Sequence, residues 1–384
     1  MISNFDFQQL YEYEKHQNLL AMGHLGYSKQ WLNHQKDDNN SIINNWLAAK
    51  LKYDWPIERV AQWPAAMQQQ WHGWRAYYNG QYLPAHQNFS QAWQNLGQSN
   101  LGFESSIALG LAKVYTRTGY WSHAKQWNLY FLKLAKKHND LFDIAQGYGA
   151  LGELFLRSNL SQQAMACFNI AFHLLPSGSG QQSKQLNFLA SALGRNQEWL
   201  RAEALLKTSI QHAKDRLDNP QTQIEESNSI NHSLARLAFL QLARYQAEQH
   251  TIEDYVFKHS KLKETPVAQG FLAMAHAFKA ILVSHNQQQA LIYVQQAQQH
   301  FKHFPFEEAW ATKLVCALTG SAWQANQLQA LITNIEPMSA PSVAIVSDKI
   351  WDSTLIKNHN GFASLLNNHL DIRSVYDCWT LFFI

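Results

Sequence analysis

The sequence predicts an all-α chain built from stacked antiparallel helix pairs. Three observations carry that reading. Small and large apolar residues recur at helical spacing with a step near 40 residues. The 384 residues include only 9 prolines and 17 glycines, too few for a turn-rich β fold. Residues of apolar type make up 46%, enough to bury a long continuous core.

From the N-terminus, residues 5–35 read as helix, the polar run KDDNNS at 36–41 as a loop, and residues 42–52 as another helix. The repeat pattern is clearest further on, in residues 145–176, AQGYGALGELFLRSNLSQQAMACFNIAFHLLP. Tyr148, Leu151, Gly152 and Phe155 share one helical face. A turn around Asn159 follows, and Ala164, Phe168 and Ala171 repeat the spacing before Pro176. The reason is steric: Gly152, Ala164 and Ala171 allow two helices to approach, while Tyr148, Leu151, Phe155 and Phe168 fill the space around them. One pair cannot bury its apolar face alone, so copies must stack.

These positions resemble the tetratricopeptide repeat, with its pattern W-x2-L-G-x2-Y, then A-x3-F-x2-A, then P. Tyr148 stands for the Trp, and Phe155 for the Tyr. The resemblance implies a right-handed superhelix. Copies precede it at Gly73, Gly80, Ala85, Phe89 and Ala92, and at Leu111, Ala112, Tyr115, Gly119, Ala124 and Phe131. Another follows at Leu189, Ala190, Leu193, Ala202 and Leu206. The equivalent small residues Gly73, Ala112, Gly152 and Ala190 give steps of 39, 40 and 38 residues. Such long units resemble those of bacterial peptide-responsive regulators and eukaryotic adaptor proteins of this superfamily.

Beyond residue 215 the pattern weakens. Residues 176–182 (PSGSGQQ) read as a flexible loop and 218–228 (DNPQTQIEESN) as a break. Residues 232–247 are helical, 271–297 recover the pattern through Ala277, Ala290, Tyr293 and Ala297, and 307–335 read as a last helical pair. The expected organisation is N-terminal helices over 1–65, with a degenerate repeat as the alternative, then four repeats over 66–215. Degenerate repeats follow over 229–337, and a capping tail over 338–384. Within the tail, residues 343–346 suit a short strand, and VYDCWTLFFI at 375–384 is too apolar to be left in water.

The resemblance also locates the concave face, lined by the first helix of each pair. One residue after each small position stand Trp74, Lys113, Glu153 and Ser191. Five residues after it stand Tyr78, Arg117, Arg157 and Arg195. Three consecutive units thus place an arginine at one equivalent site, with Lys113 one turn earlier and Asn187 near enough to donate hydrogen bonds. A guanidinium binds carboxylate or phosphate through two parallel bonds and stays charged, so these residues suit an acidic peptide or another polyanion. The alternative is that each arginine caps a helix end or pairs with an acid such as Glu153. Trp74, Tyr77 and Tyr78 offer an aromatic anchor beside the ladder, or else contact the N-terminal helices.

Other function classes find little support. A formal net charge of +3 is too small to imply nucleic acid or an anionic membrane. No run reaches the ~18 apolar residues of a membrane span, and no basic recognition helix for DNA stands out. Cys167, Cys316 and Cys378 are far apart, which fits neither a disulfide framework nor a zinc site and suits a reducing, cytoplasmic compartment. HExxH, GxxxxGK[ST], GxSxG and GxGxxG are missing. His300 and His303 lie one turn apart but lack a third ligand. The expectation is a non-catalytic adaptor or scaffold that binds a protein or acidic peptide, without cofactor, metal, nucleic acid or membrane insertion. A peptide-sensing regulator, and an accessory subunit or enzyme with its chemistry in the tail, are the alternatives.

Overall fold

The computed structural model describes residues 61, 65–96, 102–137, 139–175, 177, 179–218, 223–248, 250–257, 266–322, 334–341 and 375. Twelve α-helices stand in chain order among them. They are α1 (Ala65–Tyr78), α2 (Tyr82–Gln94), α3 (Gly102–Thr118), α4 (Trp121–Lys137), α5 (Leu141–Arg157) and α6 (Ser161–Leu174). Then come α7 (Gly180–Arg195), α8 (Trp199–Lys214), α9 (Gln223–Glu248), α10 (Pro266–Leu282), α11 (Gln287–Phe301) and α12 (Pro305–Thr319). A single 3-10 turn, Asp254–Phe257, lies between α9 and α10. No strand occurs among the described residues. The expected helices at 5–35 and 42–52, the strand at 343–346 and all of 375–384 except Val375 lie outside them.

Consecutive helices pack as antiparallel pairs, α1 on α2 through α7 on α8. Each first helix also packs on the next first helix, so α1, α3, α5, α7 and α9 form one layer. The packing follows from one residue pairing. A Cβ on Gly73 would lie 2.7 Å from the ring of Phe89, and a Cβ on Gly152 would lie 2.5 Å from Phe168. Each phenylalanine is sixteen residues after its glycine and fully buried. The glycine therefore accepts a ring where any other residue would push the helices apart. Gly270 takes Phe301 in the same way in the α10–α11 pair.

The turn between the two helices of a pair is equally regular. Gly80, Gly119, Asn159 and Gln197, each seven residues after the small position, all have positive φ. The amides of Gln81, Leu160 and Glu198 then reach back five residues to the carbonyls of Ala76, Phe155 and Leu193 at 2.8–2.9 Å. This is a Schellman-type close, which satisfies the last free carbonyls of each first helix. It also leaves the side chain two residues earlier (Tyr78, Arg117, Arg157 or Arg195) in the final helical turn.

Three boundaries differ from expectation. Gly180 and its neighbours begin α7 rather than a flexible loop, because the Ser179 side chain accepts from the amide of Gln182 at 3.2 Å as an N-cap. Helix α9 begins at Gln223, inside the polar stretch read as a break. Glu226 there is buried and held by both Nε and Nη2 of Arg216 at 2.8 Å. Of the helical pair expected over 307–335, α12 ends at Thr319 against Gly320 in the left-handed region, residues 323–333 lie outside the described set, and 334–341 form no helix.

The far end of the array returns to its beginning. Phe306 lies 5.6 Å from the ring of Tyr82, and a Cβ on Gly80 would lie 2.1 Å from the carbonyl oxygen of His303. The turn between α11 and α12 is thus seated on the turn between α1 and α2.

Candidate functional site

The ends of the first helices carry the most concentrated charge. Glu153, on α5, is the hub. Its carboxylate lies 3.5 Å from Arg117 Nε, 3.8 Å from Arg157 Nε and 4.0 Å from Lys113 Nζ. Arg117 also faces Glu307 of α12 at 3.7 Å. One guanidinium therefore links α3, α5 and α12. Burial opposes ionisation of Glu153, but Arg117, Lys113, Arg157 and Lys184 together overcome it and hold the carboxyl at about 2. Burial is also the larger cause at Arg157, where the adjacent Arg117 adds to it and the guanidinium falls to about 10 despite Glu153. Arg236 on α9 falls to about 10 for the same two reasons, burial first and Arg117 second.

The predicted residues divide into three groups. Lys113, Arg117 and Arg157 converge on Glu153. Arg195 instead donates from Nη1 to the carbonyl of Leu156, in the last turn of α5. Asn187 is buried between α7 and α9, where its Oδ1 accepts from the hydroxyl of Ser233 at 2.9 Å. Among the aromatics, Trp74 is buried and donates to Ser106 Oγ on α3 at 3.0 Å. It stacks on Tyr78 at 5.6 Å and meets Tyr77 edge-on at 5.9 Å. Tyr77 also meets Tyr82 edge-on at 5.8 Å, so this cluster adjoins the seat of Phe306.

Several members were not foreseen. Lys184 and Arg236 flank the ring of Phe188 at 5.7 and 5.9 Å, which brings two more cations to the first-helix layer. Lys184 stands six residues before Ala190, outside the offsets considered, and Arg236 lies on a helix whose register the repeat did not fix. Glu307 reaches the site through the return of α12, which nothing in the local pattern signals. Lys113, Arg117, Arg157 and Lys184 thus all act on Glu153, Arg236 interacts with both Arg117 and Glu153, and Glu307 is a second carboxylate on Arg117.

The described residues include no group of three or more His, Cys, Asp or Glu that could hold a metal ion. No helix among them is long and apolar enough to cross a membrane.

No protein-family model matches the chain, and no curated protein matches it in sequence. Among solved structures, the crystal structure of a Rap protein complexed with competence and sporulation factor is similar. The similarity covers 84% of this chain and 98% of that one, with a TM-score of 0.54 and 9% sequence identity. The shared architecture is that of a tetratricopeptide-like helical repeat, as the glycine–phenylalanine pairing and the repeated turns require.

Proposed function

We propose that this chain is a non-catalytic binding protein whose first-helix layer holds an anionic segment of a partner, either an acidic peptide or an acidic stretch of a protein. The observation that carries the reading is the convergence of Lys113, Arg117 and Arg157, from α3 and α5, on the single carboxylate of Glu153. An incoming carboxylate would meet guanidinium groups already removed from much of their water, and each charge-assisted hydrogen bond contributes roughly 1.5–3 kcal/mol. Arg117 is the natural first contact. Its side chain keeps 24% of its exposure, against 4% for Arg157. Arg195, in the last turn of α7, supports the layer by holding the Leu156 carbonyl at the end of α5, and Tyr77 and Tyr78, backed by the buried Trp74, offer an aromatic flank. A cytoplasmic location goes with this reading, since Cys167 is an unpaired, fully buried thiol that burial pushes up to about 12.

A second reading, a peptide-sensing regulator, is favoured by one specific contact. Arg117 binds both Glu153 and Glu307, so an anion that takes Arg117 competes with the link to α12. Ligand binding would then bias the closure between the two ends of the array. The solved Rap structure, complexed with competence and sporulation factor, is in keeping with a scaffold that carries a bound factor.

Titration of the full chain with a fluorescein-labelled hexaglutamate peptide tests the proposal. Binding that weakens with salt and with Arg117→Gln supports it. If the chain ignores the acidic peptide at low salt but binds a hexalysine peptide, the proposal is wrong. Small-angle scattering on the same samples separates the two readings, because a regulator changes dimensions on binding and a plain adaptor does not.

A further inference from the structure

A second site, apart from the cation cluster, lies in the furrow between α2 and α4, floored by the end of α3. It already holds a segment without regular secondary structure, residues 334–341 of the same chain. Tyr120 donates its hydroxyl to the carbonyl of Ile335 at 3.1 Å. The amide of Met338 donates to Tyr115 Oη at 2.8 Å, and Trp127 Nε1 donates to the carbonyl of Met338 at 2.9 Å. All three bonds address the main chain of the segment. Ile335 is 2% exposed, and Met338 and Ala340 pack against the core.

The furrow's own residues are held in place independently of the segment. Trp127 has Trp93 of α2 edge-on at 4.8 Å. Tyr115 Oη lies 2.9 Å from His86 Nε2 on α2. Its hydroxyl faces Met338 because it is fixed from the opposite side.

Main-chain hydrogen bonds combined with buried side chains are a general way to recognise a peptide segment, the first giving affinity and the second specificity. Here the bonds read Ile335 and Met338, and Pro337 between them restricts the backbone on both sides. Because the three bonds go to backbone atoms, any segment of similar shape satisfies them equally. The side chains then select for apolar residues three apart.

We propose that this furrow is a docking site for a partner segment with two apolar residues three apart, the second preceded by proline. Residues Ile335–Met338 are its intrachain occupant, and a partner segment of that chemistry displaces them. The furrow then works as a binding surface that the chain keeps closed with its own sequence. This reading does not depend on the acidic-ligand site.

The test uses the full chain and a labelled synthetic peptide of sequence Asn-Ile-Glu-Pro-Met-Ser-Ala-Pro. Replacing Ile335→Asp and Met338→Asp together vacates the furrow, and circular dichroism checks that the helices persist. The peptide should bind the vacated chain at least about tenfold more tightly than the unaltered chain. Adding Trp127→Phe, which keeps a ring but removes the donor, should weaken that binding by about tenfold. Equal binding to vacated and unaltered chains, or no binding to a folded vacated chain, overturns the proposal.

If the double variant does not fold, hydrogen exchange on the unaltered chain decides. Excess unlabelled peptide should expose the chain's own Met338 amide while Trp127 Nε1–H stays protected. Unchanged exchange at Met338 identifies the segment as a fixed structural clasp and refutes the proposal.

Discussion

Phe168 lies so close over Gly152 that a Cβ there would sit 2.5 Å from its ring. Both residues are buried, and the ring fills the space between α5 and α6. Gly152→Leu should therefore destabilise the chain by about 3 kcal/mol or more, since the ring has no free volume to enter. Gly149→Ala is the comparison, because its Cβ would meet only the end of the Gln185 side chain at 3.1 Å. Thermal unfolding should separate the two variants clearly; equal melting temperatures would refute the packing scheme.

Asn128 breaks the pattern that Phe89 and Phe168 keep. It stands sixteen residues after Ala112, at the position those rings occupy after Gly73 and Gly152. It is fully buried, and neither atom of its amide has a hydrogen-bond partner. An unsatisfied buried amide costs about 1–3 kcal/mol. Asn128→Leu should raise stability by an amount in that range, measured by denaturant unfolding. A loss of stability would mean that the amide is needed for something other than packing.

Closure of the array rests on Gly80, which combines a φ of 73° with the His303 carbonyl at 2.1 Å from where a Cβ would stand. Gly80→Ala should cost at least about 2 kcal/mol, from backbone strain and from expulsion of the α11–α12 turn. Gly320 shares the same φ but has nothing within 4 Å, so Gly320→Ala pays the backbone cost alone. The difference between the two melting temperatures isolates the end-to-end contact. No difference would place that contact outside the folded state's energetics.

Stability should fall with acid in two stages. Burial pushes His86 down from 6.5 to about 4, so the unfolded chain takes up the proton first. Its contribution is complete above pH 6.5 and is lost as pH falls towards 4. Glu153, held at about 2 against an unfolded 4.5, contributes above pH 4.5 and loses that contribution as pH falls through about 2. Between pH 7 and 5, His86→Gln should spare the chain about 2 kcal/mol of the loss. Parallel pH profiles for the variant and the unaltered chain would contradict this assignment.

The sequence exposed the repeat because its steric rules are local. Gly152 and Phe168 are sixteen residues apart, and their sizes alone announce a close pair. The arginines at 117, 157 and 195 were legible by the same offset, and all three do stand in the last turn of a first helix. Their partners were not legible. Whether Arg195 reaches Leu156 depends on how neighbouring pairs stack, and Glu307 meets Arg117 only because the array curves back over 190 residues. Such long-range returns leave no periodic mark, and neither did the docking of Ile335 and Met338 against Tyr115 and Trp127. The start of α9 was missed for a related reason. Glu226 reads as a loop residue until Arg216 is known to hold it.

The most direct test of the central claim is the affinity of the full chain for labelled hexaglutamate, measured by fluorescence anisotropy at low salt for three proteins. These are the unaltered chain, Arg117→Gln, and Arg117→Gln combined with Arg157→Gln and Glu153→Gln, the last change offsetting the loss of the buried Arg157 charge. Each lost arginine contact should weaken binding by at least about tenfold, with helical content unchanged by circular dichroism. Affinity that stays the same in both variants, with the fold intact, would show that these arginines serve only to join the helices and would contradict the account.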